Sequence, residues 1–113
     1  MRRGELYRVR RPPGDTKPAR TFVVVSRQGL VDSGFSTVVC APVFSQRLGL
    51  PTQVPVGADE GLKHESAILC DGLMSIEKSR LTDFVGELSP GKLLELDDAL
   101  SSALGLTELR RRH

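Results

Sequence analysis

The stretch ARTFVVVS, residues 19–26, decides the fold of this chain. Phe22 and the valines after it are apolar at successive positions, whereas a strand with one wet face would alternate apolar and polar residues. Because β-branched residues favour extended backbone, residues 21–26 are predicted to form a strand buried on both faces, at the centre of a sheet. Arg20 stands at the entrance of this strand, either as a solvated loop residue or as a cation directed at an anion.

Shorter strand-like segments lie on both sides of this run. Residues 5–10 largely alternate apolar and polar, which is typical of a strand with one solvated face. Turn residues predict loops between the strands at 11–18, 28–35, 44–49 and 57–65, and an irregular turn with one helical turn at 73–81. The remaining predicted strands are 36–43, 52–56, 66–70 and 84–88.

Proline and serine give two local predictions. Pro42 cannot donate a ladder hydrogen bond, so the third strand is predicted to lie at an edge or to bulge near its end. Ser89 followed by Pro90 is typical of a helix start, and Gly105 is a suitable stop. Between them an apolar stripe at helical spacing must pack on the sheet: Leu93, Leu96, Leu100 and Ala103 or Leu104.

These elements predict a mainly β fold, a small, strongly bent sheet or partly open β-barrel closed by one C-terminal α-helix. A chain of 113 residues has room for one domain, placed at 1–106, with 107–113 as a frayed basic tail.

With 39% apolar and 27% charged residues, the composition excludes a disordered class. No apolar run approaches the roughly 20 residues of a membrane helix, and no export signal follows Met1, so a cytoplasmic location is expected.

The chain has few residues that could bind a metal ion or a cofactor. Cys40 and Cys70 lie in apolar runs and are predicted to be buried, reduced thiols. His64 is the only internal histidine and lies in a loop expected to be exposed. Nucleotide-binding glycine motifs, HExxH and CxxC do not occur. We therefore expect no metal and no cofactor, and any catalysis would have to proceed without an imidazole base.

The charge is unevenly distributed. The net charge is only +2, yet the first 27 residues carry many cations and only two acids, Glu5 and Asp15. This asymmetry indicates a local anion-binding face, although charges solvated around a small barrel would give the same pattern. The cations are Arg2, Arg3, Arg8, Arg10, Arg11, Lys17, Arg20 and Arg27.

RNA cleavage is a reaction that requires neither a metal ion nor an imidazole base. The 2′-hydroxyl beside each phosphate is a built-in nucleophile, so a protein need only orient it, move protons and stabilise the developing charge. One well-placed donor contributes on the order of 3 kcal/mol to such stabilisation. Arginine offers a planar fork that matches phosphate oxygens, which gives Arg20 a possible role.

An ordered set of segments spans most of the chain: 3–7, 19–26, 41–45, 50–54, 61–66, 73–81, 86–89 and 96–106. In their order and spacing these segments resemble those of MazF/PemK-type toxins, the endoribonucleases of toxin–antitoxin systems. The resemblance implies an SH3-like, MazF/CcdB-like β-barrel, a homodimer, and a protein antitoxin as partner. It also implies metal-independent, sequence-specific cleavage of single-stranded RNA by 2′-hydroxyl attack, leaving a 2′,3′-cyclic phosphate and a 5′-hydroxyl.

The resemblance assigns catalysis to Arg20, which matches the family's arginine. Phe44 stands where the family's catalytic threonine is expected, so the neighbouring Ser45 is predicted to supply the hydroxyl. Because adjacent strand residues point to opposite faces, a turn or bulge would have to bring Ser45 inward. Met74 and Gly72 also replace the arginine and glutamine usual in the family.

Further residues are predicted to bind RNA. Phe44 is either a platform for a base or a core residue. Asp15 is predicted to orient Arg20 or to shape its loop. Arg11, Lys17 and Arg47 are predicted to form a phosphate-tracking rim, or else to be solvated loop charges. Gln46 is also predicted to bind RNA.

Two other functions remain open from the sequence. One is a CcdB-like toxin that binds gyrase instead of cutting RNA, although CcdB-like chains end in aromatic and apolar residues and this chain ends in arginines. The other is a non-catalytic relative that only binds RNA, which the residues at 44 and 74 make possible.

Overall fold

The computed structural model describes residues 1–10, 13–15 and 19–106. The predicted tail at 107–113 and the candidate residues Arg11 and Lys17 lie outside this range. The strands are β1 (Glu5–Val9), β2 (Arg20–Val24), β3 (Thr37–Phe44), β4 (Gln53–Val56), β5 (Ser66–Leu69), β6 (Met74–Glu77) and β7 (Asp83–Glu87). The helices are α1 (Gln28–Val31) and α2 (Pro90–Ala103), with 3₁₀ turns at Ala58–Glu60, Cys70–Gly72 and Lys78–Arg80.

The strands form one antiparallel sheet in the order β4-β5-β3-β2-β1-β7, with β6 paired to β3 off this path. As the valine run predicts, β2 is central: Phe22 lies opposite Tyr7 of β1 and opposite Pro42 of β3. The mainly β fold, a curled antiparallel sheet with a C-terminal helix, is confirmed.

Alternating side chains divide the core between the two faces of the sheet. Leu6, Val23 and Ala41 lie on one face, where they belong to the same cluster as Leu96 and Ala99 of α2. The intervening residues form the second cluster on the opposite face: Tyr7, Val9, Phe22, Val24, Val31, Val38, Cys40, Ile76 and Leu81. Strand parity therefore determines which residues face the helix and which face away from it.

Helix α2 begins and ends as predicted. The Ser89 hydroxyl accepts a hydrogen bond from the Lys92 backbone N–H at 3.2 Å, which satisfies one of the orphan donors of the first turn. Gly105 follows the helix with φ of 70°, a left-handed conformation that suits glycine. Leu96 is buried, whereas Leu104 is exposed, so the apolar stripe continues through Ala103 instead of Leu104.

Two local predictions were wrong, and one of the two alternatives predicted from Pro42, an edge strand, is excluded. The predicted loop 28–35 begins with helix α1, and the predicted turn 73–81 contains strand β6, whose Ile76 lies opposite Val38. Strand β3 is not an edge, since β2 pairs with one side of it, while β6 and then β5 pair with it as well. Pro42 lies between the β6 pairing, which ends at Cys40, and the β5 pairing, which begins at Val43. A residue without an N–H is tolerated there because the ladder changes partner.

The thiols of Cys40 and Cys70 are free and buried, as predicted. Burial raises the pKa of Cys40 to about 12. Burial, with a smaller contribution from Asp71, raises the pKa of Cys70 to about 11. Both groups therefore stay protonated near neutral pH and behave as small core residues. None of the helices in the described ranges has the length and apolar character needed to cross a membrane.

Candidate nucleic-acid interface

Arg20 is the first residue of β2, and its half-buried side chain contacts the end of β3. Its guanidinium carbon lies 4.1 Å from the centroid of the Phe44 ring. One Nη1 hydrogen bond to the Val43 carbonyl is long, at 3.4 Å. The cation–π contact is therefore the main restraint on the guanidinium, and its remaining N–H donors are left for an anion.

The register of β2 and β3 explains this contact. Phe22 lies opposite Pro42 and Val24 opposite Cys40. Continuing the same pairing toward the strand ends places Arg20 opposite Phe44, on one face of the sheet. Cross-strand pairs of this kind bring side chains within contact distance. The structure therefore brings together two of the predicted site residues, Arg20 and Phe44, with the guanidinium stacked on the aromatic ring.

Arg20 and Phe44 line a cleft of about 510 Å³ on the face of the sheet opposite α2. Its floor is largely apolar and includes Val9, Phe22, Pro42, Leu69 and Ile76. Arg80, which follows β6, contributes a second guanidinium to the same cleft. An anion that enters this cleft would meet two arginines against an apolar background, where charge–charge attraction is screened less than in open water.

Sequence reasoning did not identify Arg80 as a site residue. Its Nη2 donates to the Arg10 carbonyl at 3.3 Å, so the side chain is partly held at the rim of the cleft. Arg80 could have been identified only by first predicting strand β6. Once Met74–Glu77 pairs with β3, Arg80, which follows this strand, must lie beside the ends of β1 and β2. Arg80 is an addition to the candidate site.

Gly72 and Met74, the two residues that differ from the family pattern, also line this cleft. A Cβ on Gly72 would lie 3.0 Å from Pro42 Cγ, so a longer side chain requires Pro42 to shift. Met74 is about half exposed and presents a flexible apolar side chain. The cleft wall is therefore apolar and open where the family resemblance leads one to expect polar groups.

Ser45 does not share the cleft of Arg20. It lines a second cleft of about 490 Å³, together with Thr21. Thr21 follows Arg20 and Ser45 follows Phe44, and successive strand residues point to opposite faces. Ser45 lines this second cleft and not the cleft of Arg20, so the predicted pairing of its hydroxyl with Arg20 is absent from this structure.

Gln46 and Arg47 lie beyond β3 in an exposed loop, apart from Arg20. Arg47 is engaged within the fold: its Nε donates to the Ser66 carbonyl at 2.9 Å and its Nη2 to the Val56 carbonyl at 2.8 Å. These bonds tie the loop to the β4–β5 hairpin. Asp15 is exposed, and Arg11 and Lys17 lie outside the described residues.

Comparison with known proteins identifies the family. The model of the PemK-like, MazF-like toxins of type II toxin–antitoxin systems matches residues 2–104. The chain belongs to this family. The MazF/PemK interpretation of its sequence is therefore confirmed, and it is favoured over the CcdB-like alternative.

Individual relatives agree with the family match. The chain is 31% identical over 88 residues to Endoribonuclease MazF3 of Mycobacterium tuberculosis, covering 78% of this chain and 84% of that protein. It is 27% identical over 113 residues to Endoribonuclease EndoA of Bacillus subtilis, covering 96% and 97% of the two chains. At this identity the relatives support the common fold and activity class, while individual side chains differ.

Solved structures of MazF-like proteins match the fold closely. One is a mycobacterial endoribonuclease in complex with its cognate antitoxin, with a TM-score of 0.80, 27% identity, and coverage of 94% of this chain and 96% of that one. Another mycobacterial endoribonuclease gives a TM-score of 0.76 at 26% identity, with coverage of 93% and 91%. The curled sheet and helix of this chain therefore form a MazF-like domain.

Proposed function

We propose that this family member is the toxin of a type II toxin–antitoxin pair and cuts single-stranded RNA sequence-specifically, without a metal ion. The observation that carries the proposal is the Arg20 guanidinium, held over Phe44 at the mouth of an apolar cleft with N–H donors unused. The endoribonuclease names of the relatives support the reaction class.

The proposed reaction uses the nucleophile carried by the substrate. The 2′-hydroxyl attacks its own phosphorus and the bond from phosphorus to O5′ breaks, which leaves a 2′,3′-cyclic phosphate and a 5′-hydroxyl. The 2′-hydroxyl loses one proton and O5′ gains one, so the step is balanced without another reactant. Arg20 donates to the non-bridging oxygens, whose charge grows in the transition state.

Phe44 acts in this scheme by positioning Arg20. A ring 4.1 Å below the guanidinium restricts a flexible side chain to one orientation, so less entropy is lost when the phosphate binds. The ring therefore takes the structural position of the family threonine without its hydroxyl. The catalytic role predicted for Ser45 remains a proposal, and it requires the end of β3 to turn when RNA binds.

Replacing Phe44 with leucine should lower kcat about tenfold and leave KM nearly unchanged, because a cation–π contact contributes roughly 1–2 kcal/mol. Phe44→Tyr, which keeps the ring, should restore the rate. Single-turnover cleavage of a fluorescent RNA measures both parameters. Phe35→Leu is the control for the chemical change, since Phe35 is exposed in a loop and does not line the cleft. A rise in KM with kcat unchanged would instead indicate that the ring stacks on a base.

The function itself is tested with purified protein, a long single-stranded RNA and EDTA. We expect discrete cuts whose 5′ fragments end in a cyclic phosphate, detected by mapping both ends of each product. Capture of gyrase together with intact RNA would favour the CcdB-like alternative. Gel shifts of RNA without any cleavage would favour a protein that only binds RNA.

The proposed partners follow from the same cleft. A relative with 27% identity is described in complex with its cognate antitoxin, which supports a protein antitoxin for this chain. Two arginines against an apolar floor fit a segment with acidic and apolar side chains. The half-exposed Met74 and its apolar neighbours also suit a second copy of the chain, consistent with the proposed homodimer. We also propose the cytoplasmic location that the sequence predicts.

A further inference from the structure

The second cleft, on the side of the sheet that carries α2, lies apart from the Arg20 cleft in which the cut phosphate is placed. It holds about 490 Å³ and is lined by Arg8, Thr21, Ser45, Lys63, His64 and Asp83, among others. Most of these side chains are exposed, and their polar atoms are those that bind phosphate well: guanidinium, ammonium, hydroxyl and imidazole.

The cations of this cleft are not used by the fold. Arg8 and Lys63 are exposed, and within the described residues neither side chain makes a hydrogen bond or ion pair. Arg47 nearby is different, since carbonyl oxygens and Glu65 engage its guanidinium. Asp83 is the acid in the cleft, and it lies opposite Arg8 in the β1–β7 ladder without pairing with it.

The two clefts meet at the ends of β2 and β3. Arg20 and Phe44 face one cleft, and the residues that follow each of them, Thr21 and Ser45, face the other. A single strand whose phosphate lies against Arg20 can therefore continue past the end of β3 and reach the second cleft. The fold need not change for one RNA strand to contact both clefts, which lie on the two sides of the end of β3.

We propose that this second cleft is a subsite for the RNA backbone, in which Arg8 and Lys63 contact a phosphate beyond the one that is cut. Thr21 and Ser45 donate hydroxyl hydrogen bonds to the same anion. The inference rests on the proposed function, because it assigns a second contact to the same substrate. It also explains why Ser45 is polar and exposed although it faces away from Arg20.

The test measures RNA affinity on the intact protein with an oligonucleotide that carries a 2′-deoxyribose at the cut site and cannot be cleaved. Binding is titrated over a range of salt concentrations. Each phosphate contact to single-stranded RNA contributes about 0.7 to the slope of log K against log salt. The Arg8→Ala/Lys63→Ala variant, which loses the contact to one phosphate, should lower the slope by about 0.7 and weaken binding several-fold at low salt. Arg27→Ala removes an exposed arginine that the structure places in neither cleft, and it should leave the slope unchanged.

Substrate length gives a second readout. A dinucleotide that spans only the cut phosphate should be cleaved equally by the wild type and by the Arg8→Ala/Lys63→Ala variant, whereas a longer RNA should lose kcat/KM in the variant. Equal slopes and equal kcat/KM values on the longer RNA would overturn the subsite and leave the proposed function standing. A wild type that cuts no RNA would overturn the proposed function, and the salt slopes would then still decide whether the cleft binds the backbone.

Discussion

Replacing Arg20 with alanine should slow RNA cleavage by roughly 100- to 1,000-fold, the loss typical when one preorganised donor to a transition-state oxyanion is removed. The side chain is half-buried at the mouth of the cleft, and Phe44 and the Val43 carbonyl hold it there. Single-turnover rates with saturating RNA and EDTA measure the effect on the chemical step. Arg20→Lys should recover little, because an ammonium group lacks the planar fork and the stacked geometry.

The control for this substitution is Arg27→Ala, which removes an exposed arginine just before α1 and should leave the rate unchanged. Thermal unfolding of each variant shows whether the fold is intact. Arg20 pairs with no carboxylate among the described residues, so its loss should shift the melting temperature little. Wild-type cleavage by Arg20→Ala would remove Arg20 from the mechanism.

The largest loss of stability is expected for Gly86→Ala, about 3–5 kcal/mol of the free energy of unfolding. A Cβ on Gly86 would collide with the backbone carbonyl of Glu60, and a Cβ on Gly61 with the carbonyl of Val85. Strand β7 and the Ala58–Glu60 turn therefore approach backbone to backbone, and neither side can retreat as a flexible side chain would. Urea denaturation followed by circular dichroism gives the change in the unfolding midpoint.

Gly34→Ala is the matched control, because a Cβ at that position meets nothing within 4 Å. Its free energy of unfolding should stay within about 1 kcal/mol of the wild-type value. Similar midpoints for Gly34→Ala and Gly86→Ala would show that the contact between the strand and the turn can relax. The close approach would then not be a requirement of the fold.

Local patterns predicted those elements whose physical causes are local. The consecutive valines after Phe22 give a strand buried on both faces, and Ser89 with Pro90 starts α2, because each signal acts within a few residues. Strand β6 was missed because Met74–Glu77 is only four residues long and buries only Ile76. Met74–Glu77 forms a strand because its backbone pairs with that of β3.

The site divides in the same way. Arg20 was predicted because a lone cation before an apolar strand is visible in the sequence and matches the family's arginine. Arg80 was not, since its position depends on the course of β6. Whether Phe44 or Ser45 faces Arg20 depends on the parity of β3 relative to β2, and that parity is set by pairing between distant segments.

The order of residues alone thus determined the central strand, the capped helix, the buried thiols and the family, because propensity, burial pattern and motif spacing are properties of short segments. Only the tertiary structure decided that Phe44 supports the guanidinium, that Arg80 joins it, and that Ser45 opens onto another cleft. The reason is register: one residue of shift between paired strands exchanges the two faces of the sheet, and no short segment contains that information.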